Sequence, residues 1–222
     1  MRMWHKWRWR DPLWLFLGIL TLVVKQRLDI KLWKNEGYET VDSGVVFTNS
    51  FGLLDGVLWI SFSLFGALFV LRRLAEKTVL YPLLPGRVSS RTNLVWKELI
   101  TIYLWTAIYI CAGSFVTIWY GSITMETFMV YSYSWFALAF LIIVLRMFED
   151  GVRQGEQAYT IWLFIILIST IEPIGQYFPW MYGRAYFMLE NGTFLMNIGI
   201  LFVITVILNG FYVARMRVTD WV

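Results

Sequence analysis

A chain of 222 residues that is 59% hydrophobic, 19% aromatic and only 15% charged lacks the surface of a soluble domain, where about a quarter of residues carry charge. Its net charge of +4 does not point to nucleic acid, because the basic residues stand between apolar runs rather than along one polar face. One cysteine, Cys111, excludes an internal disulfide, and one histidine, His5, leaves neither a His/Cys metal cluster nor a Ser-His hydrolytic pair.

In chain order, the first segment sets Trp4, Trp7 and Trp9 among Arg2, Lys6, Arg8 and Arg10. Residues 1–11 read as an interfacial helix on anionic lipid, a composition shared with any basic, Trp-rich terminus. The apolar stretch 13–24 imitates a secretory signal, but Lys25, Gln26 and Arg27 stand where cleavage needs small residues. A retained span over 12–30 is expected, short enough that it must tilt, thin the bilayer or let Lys25 and Arg27 snorkel.

Five more stretches reach the ~20 apolar residues that a bilayer core requires: 51–71, 99–120, 127–147, 158–175 and 193–213. The fold class predicted is therefore an all-α membrane protein with six transmembrane helices in one domain over 1–222. Placing both termini in the cytoplasm puts fourteen of the 19 Lys and Arg inside, and only Lys25, Arg27, Lys31, Lys34 and Arg184 outside. The second inner loop, "RMFEDGVRQGEQ", places Glu149, Asp150 and Glu156 beside Arg146 and Arg153 and reads as a solvated turn before it reads as a partner contact.

Between the second and third spans lies "EKTVLYPLLPGRVSSRTNLVWKEL", residues 76–99. Pro82, Pro85 and Gly86 break the helix descending from the membrane. Ser89 or Ser90 then caps a new one over 92–97. The segment 72–98 thus predicts a short cationic helix across the inner membrane face, with Leu80, Leu83, Leu84 and Val88 beside Arg87 and Arg91 as a docking surface.

Two ionisable residues fall within spans and are functional candidates by position: Asp55, flanked by Gly52 and Gly56 at a close-packing spacing, and Glu172. Pro173 follows Glu172, so the fifth span is expected to bend there. Gly175, Pro179 and Gly183 with Tyr177, Phe178, Trp180 and Tyr182 fit either an interfacial aromatic loop or a re-entrant hairpin over 173–191.

At these residues the chain resembles the permease subunits of type-2 ABC transporters. Those have six spans, cytoplasmic termini and a coupling helix between spans two and three. The corresponding pattern here is Glu76, the hydrophobic stretch 79–84 with Leu80, Leu83 and Leu84, then Pro85, Arg87, Ser90, Arg91 and Lys97. The stretch "IEPIGQYFPWMYGRAYFML" is similar to the family's outer re-entrant hairpin, and "FYVARMRVTD" to its basic exit from the last span. The resemblance covers the whole chain and is nearest to exporters of amphipathic antimicrobial peptides such as phenol-soluble modulins. It implies a multi-pass protein of a plasma membrane, bacterial in kind, that exports an amphipathic or hydrophobic substrate by alternating access. It also implies an outer gate at Glu172, Pro173, Tyr177, Phe178, Pro179 and Trp180, a second permease copy or sister permease, and a pair of P-loop ATPases.

No glycine is followed by lysine, so the chain has no "GxxxxGK[ST]" loop. It is expected not to be an enzyme itself and to hold no cofactor; ATP and Mg would belong to the partner ATPase. Export of lipid, lipid-linked glycan or drug by the same machinery is the alternative, as is a secondary carrier or an accessory membrane protein working without an ATPase. A channel or carrier usually places several polar groups at mid-membrane, and here the span centres are nearly all apolar.

Overall fold

The computed structural model describes residues 11–35, 53–78, 91–120, 125–151, 155–169, 194–218 and Phe178. Apart from Phe178 these residues are all helical: α1 Asp11–Asn35, α2 Leu53–Thr78, α3 Arg91–Tyr120, α4 Met125–Gly151, α5 Gly155–Ser169 and α6 Phe194–Val218. Four of the six are long and apolar enough to cross a membrane, over Val57–Leu74, Asn93–Val116, Phe128–Glu149 and Leu195–Arg215. The apolar parts of α1 and α5 are shorter, Pro12–Lys25 and Gln157–Ser169. At ~1.5 Å per residue each covers about 20 Å, against a hydrocarbon core of ~30 Å.

The helices pack as a triangle with three buttresses. The inner triangle is α2, α3 and α4, each touching the other two. Outside it, α1 sits against α2 and α3, α5 against α2 and α4, and α6 against α3 and α4. Contacts fix the directions. Gly18 meets Tyr109 and Leu22 meets Gly113, so α1 runs with α3. Phe62 reaches Gly113 while Arg73 lies over Trp105, so α2 runs against α3. Glu98 pairs with Arg146 and Tyr103 with Trp135, so α4 also opposes α3. Trp162 reaches Leu141, while Tyr159 bonds Glu149, so α5 opposes α4. Phe202 meets Phe136 and Arg215 meets Met147, so α6 runs with α4. The result is an up-and-down alternation.

Burial grades from the triangle outward. The α4 span is 61% buried, with every residue from 137 to 143 inside, whereas the α6 span is 22% buried. A helix apolar all round belongs in such an interior. The open apolar ridge of α3 lies between α1 and α6: Trp96, Ile100, Leu104, Ile108, Phe115 and Trp119 are all exposed. Its terminal tryptophans are 23 residues apart, about 34 Å along a helix. That separation matches two bilayer interfaces, where indole rings prefer to sit.

The tightest junction is built on glycine. Tyr109 of α3 is 1% exposed and lies in a notch formed by Gly18 of α1 and Gly66 of α2. A Cβ on Gly66 would stand 2.7 Å from Tyr109 Cε1 and 2.9 Å from Leu138 Cδ2, and one on Gly18 would overlap the phenol oxygen itself. The hydroxyl donates to the Phe62 carbonyl at 2.8 Å, and the ring packs on Phe62 at 4.8 Å between centroids. Leu22 fills the matching notch at Gly113. Small residues at such contacts let backbones approach where lipid gives no hydrophobic drive to association.

Aromatic donors then tie α3, α4 and α5 each to the helix before it. Trp162 Nε1 of α5 donates to Leu141 O of α4 at 2.8 Å, Trp135 Nε1 of α4 to Tyr103 O of α3 at 3.0 Å, and Tyr109 of α3 to α2 as above. Each takes the second lone pair of a helical carbonyl, which satisfies a donor that lipid could not. Hydroxyls turn inward likewise: Thr106, Ser134 and Thr205 each donate to the carbonyl four residues back.

The boundaries differ from expectation at the end where α3 begins. α3 is described from Arg91 and continues without interruption to Tyr120. Residues 91–98 are therefore the first turns of the spanning helix, not a separate crossbar; Leu80, Leu83, Leu84, Pro85, Arg87 and Ser90 lie outside the described residues. Of the alternatives expected for the first span, snorkelling of Lys25 is not the one adopted: Lys25 is 1% exposed, among the largest fully buried side chains. The reason is that α1 packs against both α2 and α3, so the face that carries Leu22 and Lys25 points into the bundle.

Two measurements check this packing. Gly66→Ala is expected to lower the unfolding temperature in detergent, by an overpacking cost of about 1–3 kcal/mol. Gly210→Ala, whose Cβ meets nothing within 4 Å, should leave it unchanged or raised. Cys111, exposed midway along the α3 ridge, should resist a water-soluble maleimide in membranes and react after solubilisation in SDS.

Candidate functional site

At the end of the bundle where α2, α4 and α6 finish and α3 and α5 begin, a charged cluster closes over the apolar core. Glu98, on the third turn of α3, is 3% exposed. Arg146 of α4 reaches it with two nitrogens: Nε donates to Glu98 Oε1 at 2.9 Å, and Nη2 stands 2.9 Å from the same oxygen. Its third nitrogen, Nη1, donates to Glu149 Oε2 at 2.5 Å, one helical turn along α4. Tyr159 of α5 is hydrogen-bonded to Glu149 as well. Tyr212 of α6 stands beside the Arg146 guanidinium, and Arg215 Nη1 donates to the Met147 carbonyl at 3.1 Å. One arginine thus gathers α3, α4, α5 and α6.

The sequence places these groups in reach for simple reasons. Arg146 and Glu149 are three apart and share a helix face. Glu98 faces inward because Val95, Leu99 and Ile102 on the same side of α3 are core residues. Arginine suits the position because its planar fork can serve two carboxylates at once. Burial makes the arrangement obligatory: a carboxylate left in this environment without its cation costs about 3–5 kcal/mol.

A second polar group lies deeper. Asn209 Nδ2 of α6 donates to Tyr103 Oη of α3 at 2.8 Å, and the Tyr103 carbonyl accepts Trp135 Nε1. Nearby on α2, Arg73 lies 4.8 Å from the Trp105 ring centroid of α3 and 5.9 Å from that of Phe69. This spacing suits a cation stacked on aromatic faces. Among the described side chains, Arg72, Arg73, Lys97, Arg146 and Arg215 occupy the charged end, and Lys25 and Arg27 the other.

The residues singled out by sequence are placed only in part. Glu76 is in the last turn of α2 and Arg91 opens α3, with no side-chain description for either. Lys97 is exposed on α3, one residue before Glu98 and facing away from the core. Asp55 and Gly56 are in the first turns of α2; their side chains and Gly52 lie outside the described residues. Glu172, Pro173, Tyr177, Pro179 and Trp180 lie outside them too, and Phe178 is half-buried. Glu149 corrects the solvated-turn reading: it is 18% exposed and ion-paired. Glu98 was passed over entirely. Its signal was a carboxylate at a position in phase with Val95, Leu99 and Ile102.

No group of His, Cys, Asp and Glu that could hold a metal ion occurs among the described residues. No family model, curated protein or solved structure matches this chain.

Arg146→Met is expected to lower stability in detergent by about 3–5 kcal/mol through the uncompensated Glu98 charge. Adding Glu98→Leu should recover much of that loss, and thermal unfolding of the four members of the cycle measures it.

Proposed function

We propose that this chain is the membrane-spanning permease subunit of an ATP-driven type-2 ABC exporter. In this reading it has six spans with both ends cytoplasmic, and moves an amphipathic or hydrophobic substrate outward, a cytolytic peptide before others. The observation that carries the proposal is where the stretch 79–90, with Pro82, Pro85, Gly86 and Arg87, joins the bundle. The helices on either side of it, α2 and α3, are two of the three inner helices. Seven residues into α3, Glu98 is ion-paired to α4, and through Arg146 to groups on α5 and α6. A push delivered to that stretch would therefore reach the whole bundle rather than one loop.

Charge distribution supports the orientation: the cation-rich end is the one from which that stretch leaves. The described interior supports a hydrophobic cargo more than an ion, because several of its hydroxyls and indole donors, among them Thr106, Ser134, Thr205 and Trp162, are bonded to backbone. Pro173 directly after Glu172 supports a fifth span that bends there. The motor for such a transporter is a separate P-loop ATPase, paired beneath two permease copies related by a two-fold axis. Alternating access then follows from rigid helices swinging between two packed arrangements.

Purification of the tagged chain from its native membrane should bring down a P-loop ATPase in equal amount; its absence would favour a secondary carrier or an accessory protein. Replacing Arg87 and Arg91 together should abolish export while insertion and expression persist. Deleting residues 176–190 should leave ATPase binding intact and spoil export, which separates an outer gate from a structural loop.

A further inference from the structure

We infer that the Arg146–Glu98 pair is a releasable latch holding the inner end of α3 against α4. The division of the guanidinium argues for it. Two of its nitrogens engage Glu98 across the bundle, and the third engages Glu149 on its own helix. Glu149 is in turn bonded by Tyr159 of α5. When α3 withdraws, Arg146 keeps a carboxylate partner, so the α4 side of the latch loses little.

The α3 side has a route to water. Lys97, next to Glu98, and Asn93, five residues before it, are exposed, so the carboxylate has polar, accessible positions beside it on its own helix. Position along the helix matters as well. From Tyr103 outward α3 is pinned by directional bonds: Trp135 to its carbonyl, Asn209 to its hydroxyl, and Tyr109 to α2. Inward of Tyr103 its buried face is Val95, Leu99 and Ile102, apolar surfaces that slide, with the Glu98 ion pair laid across them. The helix is thus fixed above and fastened by a separable contact below. Opening there parts α3 from α4 at the charged end. The inference stands on the bundle alone and needs no ATPase, so it and the transporter reading fail separately.

The test uses the full chain in nanodiscs of phosphatidylethanolamine and phosphatidylglycerol, with Cys111→Ser and a reporter Thr101→Cys. Thr101 is 5% exposed, two residues before Tyr103 and one before Ile102. The readout is the rate of modification by a membrane-impermeant maleimide. Glu98→Gln should accelerate it about tenfold, the change in open population expected when one ionic hold is lost. Glu149→Gln should leave it near the parent rate, and the exchange Glu98→Arg with Arg146→Glu should restore protection. If Glu98→Gln does not fold, Arg146→Lys serves, since it keeps the charge and loses the two-point grip; size-exclusion chromatography establishes folding. Parent-like rates in folded Glu98→Gln or Arg146→Lys would overturn the latch. So would equal acceleration by Glu149→Gln, which marks a static network.

Discussion

The Tyr109 ring seated between Gly18 and Gly66 is the contact on which the remaining geometry rests. It is where α1, α2 and α3 meet, and its hydroxyl bond to Phe62 O fixes rotation as well as distance. Once α2 and α3 are set at that separation, α4 closes the triangle with Leu138 against Gly66. The grooves between the inner helices then receive α1, α5 and α6. In water a cavity or a methyl out of place is softened by solvent; in lipid only neighbouring side chains fill the space. That is why the three best-packed glycines each face a large side chain from another helix, while Gly199 and Gly210 of α6 face none within 4 Å.

A second regularity follows from the same solvent. The described chain disposes of its polar groups in two ways according to depth. Within the spans, Thr106, Ser134, Trp135 and Trp162 bond to backbone carbonyls. At the charged end, full charges are admitted, but in a set in which one guanidinium is shared by two carboxylates with a tyrosine beside it. Unpaired charge at either place would be expensive. The cluster therefore reads as the place where a bundle otherwise made of packing acquires electrostatic addressing.

Hydropathy and charge made much of this visible in advance, in a particular way. The helical class and the four long spans follow from runs of apolar residues, since the bilayer imposes one length and one secondary structure. What hydropathy misses is whatever lies beyond the hydrocarbon. α3 was expected from residue 99 and begins at Arg91, and α2 and α6 run several residues past their expected inner ends. Charges near span ends are easily credited to orientation, so Arg146 and Glu149 were read as loop residues and Glu98 not at all. Their pairing joins residues 48 apart in sequence, which a single-span reading cannot see. The glycine contacts escaped for a related cause. Gly52 and Gly56 attract notice by spacing within one helix, whereas Gly66 matters through Tyr109, 43 positions away.

The burial of Lys25 constrains how such a chain is made. α1 emerges from the ribosome before the helices that cover it, since synthesis runs from the N-terminus. At that moment its apolar stretch is short and ends in a lysine that in the finished bundle is sealed among other helices. A segment of this kind has no stable resting place alone in the bilayer core. The burial of Lys25 thus depends on α2 and α3, which are synthesised after the helix that carries it.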